Sequence, residues 1–181
     1  MLQLNITRIN PNVTARLAFE ADESHICELM LSVASWLRSK GSGQWGKLLD
    51  GHDDHDLNGA IKRGEVVLFI ADDVQDLAGA IILQQQPSEW DRRLWGMELK
   101  DTAVYLHRLT VNRRYAGQGL GKDIMDWVES GMGYANKDRI RLDCFASSDK
   151  LNAFYTECGY AYRGETNGYS LYEKMLTSRS E

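Results

Sequence analysis

The sequence predicts a mixed α/β (α+β) domain built on a mixed sheet with helices on both faces. Three observations carry that prediction. The chain has 181 residues, and single cores usually hold roughly 100–200, so one domain spanning 1–181 is expected. Its apolar pattern switches between a period near two and a period near 3.6, in the order βααββ then βαβαββ. Such an order calls for a sheet covered on both sides. Only two prolines, Pro11 and Pro87, and no low-complexity stretch interrupt it, which excludes collagen-like, disordered and linker-rich architectures.

In chain order, Val13 to Glu20 reads as the first strand, and Asp22 to Ser24 offer capping side chains for a helix. Ile26, Leu29, Met30, Val33, Trp36 and Leu37 follow at helical spacing. That stripe ends at Lys40-Gly41, with basic residues in the last turn and a glycine available for a left-handed cap. After a loop carrying Gln44-Trp45, Asp53 or Asp54 can cap a short helix ending at Gly64. Glu65 to Ala71 and Leu77 to Gln86 are β-rich runs around a polar turn, a hairpin pattern. Pro87 to Lys100 reads as an irregular, tryptophan-containing connection. Thr102 to Val111 is the next strand, and a glycine-rich turn leads into a helix from Leu120 to Tyr134 with Leu120, Ile124, Trp127 and Val128 inward. Arg139 to Phe145 is a strand and Asp149 to Glu157 a short helix. Tyr160 to Glu165 and Tyr169 to Met175 close the chain as a hairpin over Asn167-Gly168.

Charge and composition narrow the partners. Lys and Arg number 21 against 26 Asp and Glu, a net charge of −5, whereas phosphate-backbone binding rests on a basic footprint. Nucleic acid is therefore not an expected partner. The longest apolar runs, such as Val66 to Ala71, are far shorter than the roughly 18 residues of a membrane span, so no membrane is expected. The N-terminus lacks a signal-peptide pattern, and the three cysteines, 27, 144 and 158, form no C-x-x-C pair. Both features suit the reducing cytoplasm. His52-Asp53-Asp54-His55-Asp56 is rich in metal-ligand types but lies on a polar loop entering a helix, where Asp caps and solvated His are the ordinary explanation. No metal is expected.

The chemistry concentrates in Leu106-His107-Arg108-Leu109-Thr110-Val111 and the following Ala116-Gly117-Gln118-Gly119-Leu120-Gly121-Lys122. Alternating glycines between a strand and a helix let a ligand approach the backbone, and a helix N-terminus with free N–H groups receives phosphate or pyrophosphate. A Walker A loop would need Gly at Ala116 and Ser or Thr at Asp123. A Rossmann fingerprint would need its third glycine at Lys122 or Ile124. Both spacings fail, and a tight turn without a ligand stands as the structural alternative.

Leu106 to Trp127, followed by Leu151-Asn152-Ala153-Phe154-Tyr155-Thr156-Glu157-Cys158-Gly159-Tyr160, resembles the GNAT acyltransferase superfamily. The first block is similar to that family's pyrophosphate motif, R/Q-x-x-G-x-G/A, and the second to its F-Y-x-x-x-G-F/Y segment. The register Ala116 to Gly121 is preferred, with Ala116 replacing the usual Arg or Gln. A second register, Arg114 to Gly119, shortens the loop by two residues. The resemblance implies a twisted, mostly antiparallel sheet of six to seven strands, splayed between the fourth and fifth. It further implies acetyl-CoA as cosubstrate and the primary amine of a small molecule or peptide as acceptor, with direct transfer in a ternary complex. A non-catalytic acyl-CoA sensor of the same fold is the rival. The sequence leaves the oligomeric state open, a homodimer included.

The resemblance also assigns roles. Backbone groups of Leu109 and Val111 would hold pantetheine, and Ala116, Gly117, Gln118, Gly119, Leu120, Gly121 and Lys122 the pyrophosphate. Asn152 would reach the CoA arm, and Tyr155 would protonate the departing thiolate. Tyr105 and His107 share a strand face by the period of two. Histidine as a residue type titrates near neutrality, so His107 suits the base, with a hydrogen-bonded core histidine as its alternative. Trp36 and Trp45, with Tyr105, would line the acceptor side, and Trp90 and Trp95 are further candidates.

Overall fold

A computed structural model describes residues 2–97 and 101–177. Its strands are β1 (Gln3–Leu4), β2 (Arg8–Asn10), β3 (Val13–Leu17), β4 (Val66–Ala71), β5 (Asp76–Gln84), β6 (Ala103–Val111), β7 (Met132–Gly133), β8 (Arg139–Phe145), β9 (Ala161–Thr166) and β10 (Tyr169–Met175). Its helices are α1 (Glu23–Ser39), α2 (Gly46–Leu49), α3 (Leu57–Lys62), α4 (Glu89–Trp95), α5 (Leu120–Ser130) and α6 (Asp149–Glu157). The fold is mixed α/β on a mostly antiparallel sheet. Two compact units divide the chain: the described residues up to Ile82 with Arg108–Gly133, and Leu83–His107 with those from Tyr134 onward. Strand β6 runs through both.

In the first unit β2, β3, β4 and β5 pair antiparallel in sequence order. One face of these strands presents Val66, Leu68, Ala80 and Ile82 to Ile26 and Met30 of α1 and to Leu57, Ala60 and Ile61 of α3. Each fully buried Val, Leu, Ile or Met among them contributes about 1.5–3 kcal/mol of hydrophobic stabilisation. The other face belongs to α5, whose Trp127 meets Phe69 edge-on at 5.5 Å. Gly79 is required here, because a Cβ would lie 2.7 Å from the Thr110 carbonyl oxygen and 3.4 Å from Ile124 of α5.

In the second unit β8 pairs parallel with the start of β6 and antiparallel with β10, which pairs with β9. The β9–β10 turn has positive φ at both Asn167 (+52°) and Gly168 (+81°), the conformation an Asn-Gly hairpin demands. The side chains of Arg141 and Asp143 point to the face covered by α4, where Trp95 lies under Arg141 and Trp90 bonds Asp143. Tyr172, paired with Leu142, points to the opposite face and packs on α6 through Tyr155.

Several details differ from the sequence expectation. The strands β1, β2 and β7 have two or three residues each, too few to show a period. The first expected strand stops at Leu17 rather than Glu20, because the chain enters a 3₁₀ turn at Glu20–Asp22. The helix expected to reach Tyr134 ends at Ser130. Pro87–Lys100 is not wholly irregular: Ser88 and Asp91 form a reciprocal capping box that starts α4. Residues 98–100 of that connection lie outside the described residues.

Candidate functional site

The glycine turn lies in the first unit. Val111 ends β6, and Asn112 N–H donates to the Ala78 carbonyl (2.8 Å) while its side chain donates to Leu77 (3.0 Å). A 3₁₀ turn at Arg113–Tyr115 then brings the chain to Gly117 and Gly119, at φ +75° and +78°. These are left-handed values that side chains disfavour. Nothing lies within 4 Å of a Cβ built at either glycine, so the space before them is open to a ligand. Gly119 is the N-cap of α5 and no side chain caps that helix. Among the described residues the amides from Gly117 to Gly121 find no backbone acceptor. An uncapped helix start beside open space suits an anion, with the dipole in its favour. The nearby cations are engaged: Arg113 lies 3.7 Å over the Trp36 ring, Arg114 bonds Asp76 at 2.9 Å and Lys122 bonds Asp126 at 3.0 Å.

Strand β6 departs from the expected alternation. Its parallel ladder with β8 covers Ala103 to Tyr105 and stops. Arg108 then takes φ +55°, a left-handed residue inside a strand, so the period of two that put Tyr105, His107 and Leu109 on one face is broken at Arg108. Leu109 and Val111 are half-buried beyond it.

His107 lies in the second unit, 5% exposed, with Nε2 3.1 Å from Asp91 Oδ1 and 3.3 Å from Oδ2. Asp91 is 1% exposed and is fixed by the capping box, accepting from Ser88 N–H at 2.8 Å and Ser88 Oγ at 2.6 Å. Asp143, the third member, accepts from the Trp90 indole at 3.2 Å. Burial raises the Asp143 carboxyl above the ordinary range, with His107 and the Trp90 N–H opposing. An imidazole beside the buried Asp91 and the half-buried Asp143 is held in place and has a nearby anion to stabilise a gained proton. One ligand atom from each of the three lies within 4.8 Å of the others. Sequence reading missed Asp91 and Asp143. The signal for Asp91 was present, since Ser88-Glu89-Trp90-Asp91 is a capping box.

Tyr155 is 6% exposed on α6, its ring against Phe154, Tyr160 and Tyr172. Burial pushes its phenol well above the usual value, with Cys144, Asp143 and Cys158 adding in the same direction. The hydroxyl is thus protonated at neutral pH and is able to donate.

Two expected contact residues are differently employed. Asn152 donates to the carbonyls of Ser148 (2.8 Å) and Phe145 (3.1 Å) and accepts from the Tyr172 hydroxyl (2.8 Å). Its side chain ties α6 to the ends of β8 and β10 instead of standing free for a CoA arm. Tyr105 is buried, donating to Asp101 (2.7 Å) and accepting from Arg141 (3.3 Å), so its hydroxyl serves the interior rather than an acceptor surface. Trp36 and Trp45 are half-buried under Arg113 and Arg108 respectively. Around the His52 cluster, Asp53 accepts from the Leu57 amide (2.6 Å) and Asp56 caps α3.

Residues 30–160 match the family model described as Acetyltransferase (GNAT) family. The chain is 47% identical over 158 residues to YesJ of Bacillus subtilis strain 168, named an uncharacterized N-acetyltransferase, covering 87% of each. It resembles a GNAT-family acetyltransferase of Listeria monocytogenes at 37% identity and TM-score 0.76, covering 91% of this chain and 95% of that one. A PaiA N-acetyltransferase of Thermoplasma acidophilum, solved with coenzyme A, shares the fold at 17% identity and TM-score 0.67, over 90% of this chain and 98% of that one.

Proposed function

Because the chain belongs to the GNAT family of N-acetyltransferases, we propose that it transfers the acetyl group of acetyl-CoA to a primary amine of a small molecule or peptide, by direct attack in a ternary complex. The observation that carries this reading is the uncapped start of α5, with Gly117 and Gly119 both left-handed and both facing open space. The same turn suits the pyrophosphate of acetyl-CoA, which supplies the activated acetyl thioester. Ala116 to Lys122 hold that diphosphate through amides, and Leu109 and Val111 offer backbone groups to the amides of pantetheine.

An alkyl ammonium with a pKa near 10 is only about one part in a thousand neutral at pH 7, so the acceptor needs a base. His107 takes that proton, with Asp91 as a positioning residue that holds the imidazole. As the amine nitrogen bonds to the carbonyl carbon and the carbon–sulfur bond breaks, the Tyr155 hydroxyl delivers a proton to the sulfur, and the second proton shed by the acylated nitrogen restores the phenol, the proton on His107 passing to solvent. A strand amide near Leu109 faces the developing oxyanion. No metal enters this chemistry. We read the chain as one domain, because each compact unit is built from two separate stretches, and as working in the cytoplasm, whose reducing conditions suit the free thiols of Cys27, Cys144 and Cys158. No helix among the described residues is long and apolar enough to cross a membrane.

The test is a thermal-shift series with acetyl-CoA, CoA, ATP and NAD, followed by thiol release with a panel of amines. Stabilisation by acetyl-CoA and CoA alone, with amine-dependent thiol release, is the expected result. Stabilisation without release from any amine favours the sensor, and stabilisation by ATP or NAD contradicts the cosubstrate.

A further inference from the structure

Arg108 carries two independent costs. It is 8% exposed, yet its guanidinium makes no hydrogen bond and no ion pair within 4.0 Å with any described residue, and Nη1 is fully enclosed. A buried donor without an acceptor costs about 1–3 kcal/mol, more when charged. Its backbone also sits at φ +55° within β6, a conformation that costs a side-chain-bearing residue about 1–2 kcal/mol. Strain and unpaired burial on one residue point to a role outside the folded chain's own contacts.

The surroundings say what that role requires. The guanidinium lies 5.4 Å from the Trp45 ring centroid, a contact that supports the cation through its face and leaves its N–H donors without a protein acceptor among the described residues. Asp53 and Asp54 are close enough to act on its charge, but neither bonds it. Asp53 accepts from the amides of His55 (3.2 Å) and Leu57 (2.6 Å), and Asp54 faces Lys47 Nζ at 3.6 Å. Burial accordingly lowers the Arg108 pKa from its ordinary value, with those carboxylates only partly opposing. A planar fork of unused donors matches a carboxylate in two-point contact.

We propose that Arg108 binds a carboxylate on the acceptor, so that the substrate class is an amine that also bears a carboxylate, as an amino acid does. This rests on the acetyltransferase reading above. A phosphate of CoA is the other anion available. It is disfavoured by position, because the phosphate turn begins at Gly117, beyond the end of β6 and a 3₁₀ turn.

The experiment compares the parent with Arg108→Met, which keeps the side chain's length, and Arg108→Lys, which keeps its charge. Without ligand, Arg108→Met should melt at or above the parental temperature, because an unpaired buried charge has been removed. N-acetylated amino acids, with and without CoA, should raise the parental Tm, and N-acetylated forms of the matching decarboxylated amines should not. The rise should vanish in Arg108→Met and return in part in Arg108→Lys. In thiol release, amino acids should exceed their decarboxylated amines by about 10²-fold or more in kcat/KM, a preference that Arg108→Met abolishes mainly through KM.

A Tm several degrees lower in Arg108→Met would make Arg108 a structural cation and overturn the proposal. Equal use of amino acids and decarboxylated amines would do the same. Loss of the acetyl-CoA shift in Arg108→Met, with amino-acid preference intact, would assign the anion to CoA phosphate. If the parent shows no acetyl-CoA shift at all, the acetyltransferase reading fails, while the ligand-free Tm and the carboxylate shifts still decide the anion site.

Discussion

At the scale of single residues, the proposed chemistry asks two side chains, Tyr155 and His107, to handle protons from buried positions. Burial protects Tyr155 as a donor, since its raised pKa keeps the phenol protonated across the neutral range. Tyr155→Phe keeps the ring and its contacts with Tyr160 and Tyr172, so stability and acetyl-CoA affinity should stay close to parental while kcat falls. General acid catalysis is worth about 10²–10⁴-fold, and a thiolate leaves readily enough to place the loss at the low end. Parental kcat at saturating acceptor would return Tyr155 to packing. His107 has the opposite task. His107→Ala should flatten the acidic limb of the kcat/KM profile and lower kcat/KM by about 10²-fold or more; a folded variant with the parental profile would leave His107 as a core histidine bonded to Asp91.

At the scale of elements, the start of β8 shows how local electrostatics hold the sheet. Asp138 accepts from Thr102 (2.8 Å) and Arg139 (2.7 Å). The Arg139 guanidinium, with Thr102 helping, brings its carboxyl down to about 2 against the opposing effect of burial. A carboxyl depressed in the folded state contributes stability above its ordinary value, about 3.9, which is lost as pH falls toward the folded value. Asp138→Asn should therefore lower Tm at pH 6, and its Tm should fall less than the parent's between pH 4 and pH 2. Parallel pH profiles would show that the pair is inert.

Most elements that alternate or wind over five or more residues were readable in the sequence, α4 (Glu89–Trp95) being the exception that was expected as an irregular connection. Helix α1, the β4–β5 hairpin, β8, α6 and the Asn167-Gly168 turn all lie within a residue or two of their expected bounds. Three kinds of feature were not readable. The two- and three-residue strands are too short to show a period. The break at Arg108 falls on a residue type that rarely adopts positive φ, so nothing in the letters announces it. The partners of His107 are 16 and 36 positions away in the chain, and only the pairing of β6 with β8 and the capping of α4 bring them to the imidazole. The glycine turn was legible for the converse reason: its conformation and its openness are both local properties of glycine.

At the scale of the whole molecule, the proposed function asks a chain of net charge −5 to receive a polyanionic cosubstrate. Net charge then opposes the approach, and the proposal assigns the binding to the amides from Gly117 to Gly121 and the dipole of α5. The most direct measurement is the acetyl-CoA dissociation constant of Gly119→Glu, by calorimetry, beside Gly119→Ala. Both variants take on the left-handed strain, about 1–2 kcal/mol, and the space around the built Cβ is open, so both should fold. Alanine separates strain from occlusion. The account predicts that Gly119→Glu, with a bulky anion at the phosphate approach, loses at least 10²-fold in affinity, roughly 2.7 kcal/mol, beyond any loss in Gly119→Ala. A cooperatively folded Gly119→Glu that binds acetyl-CoA with the parental constant would contradict it.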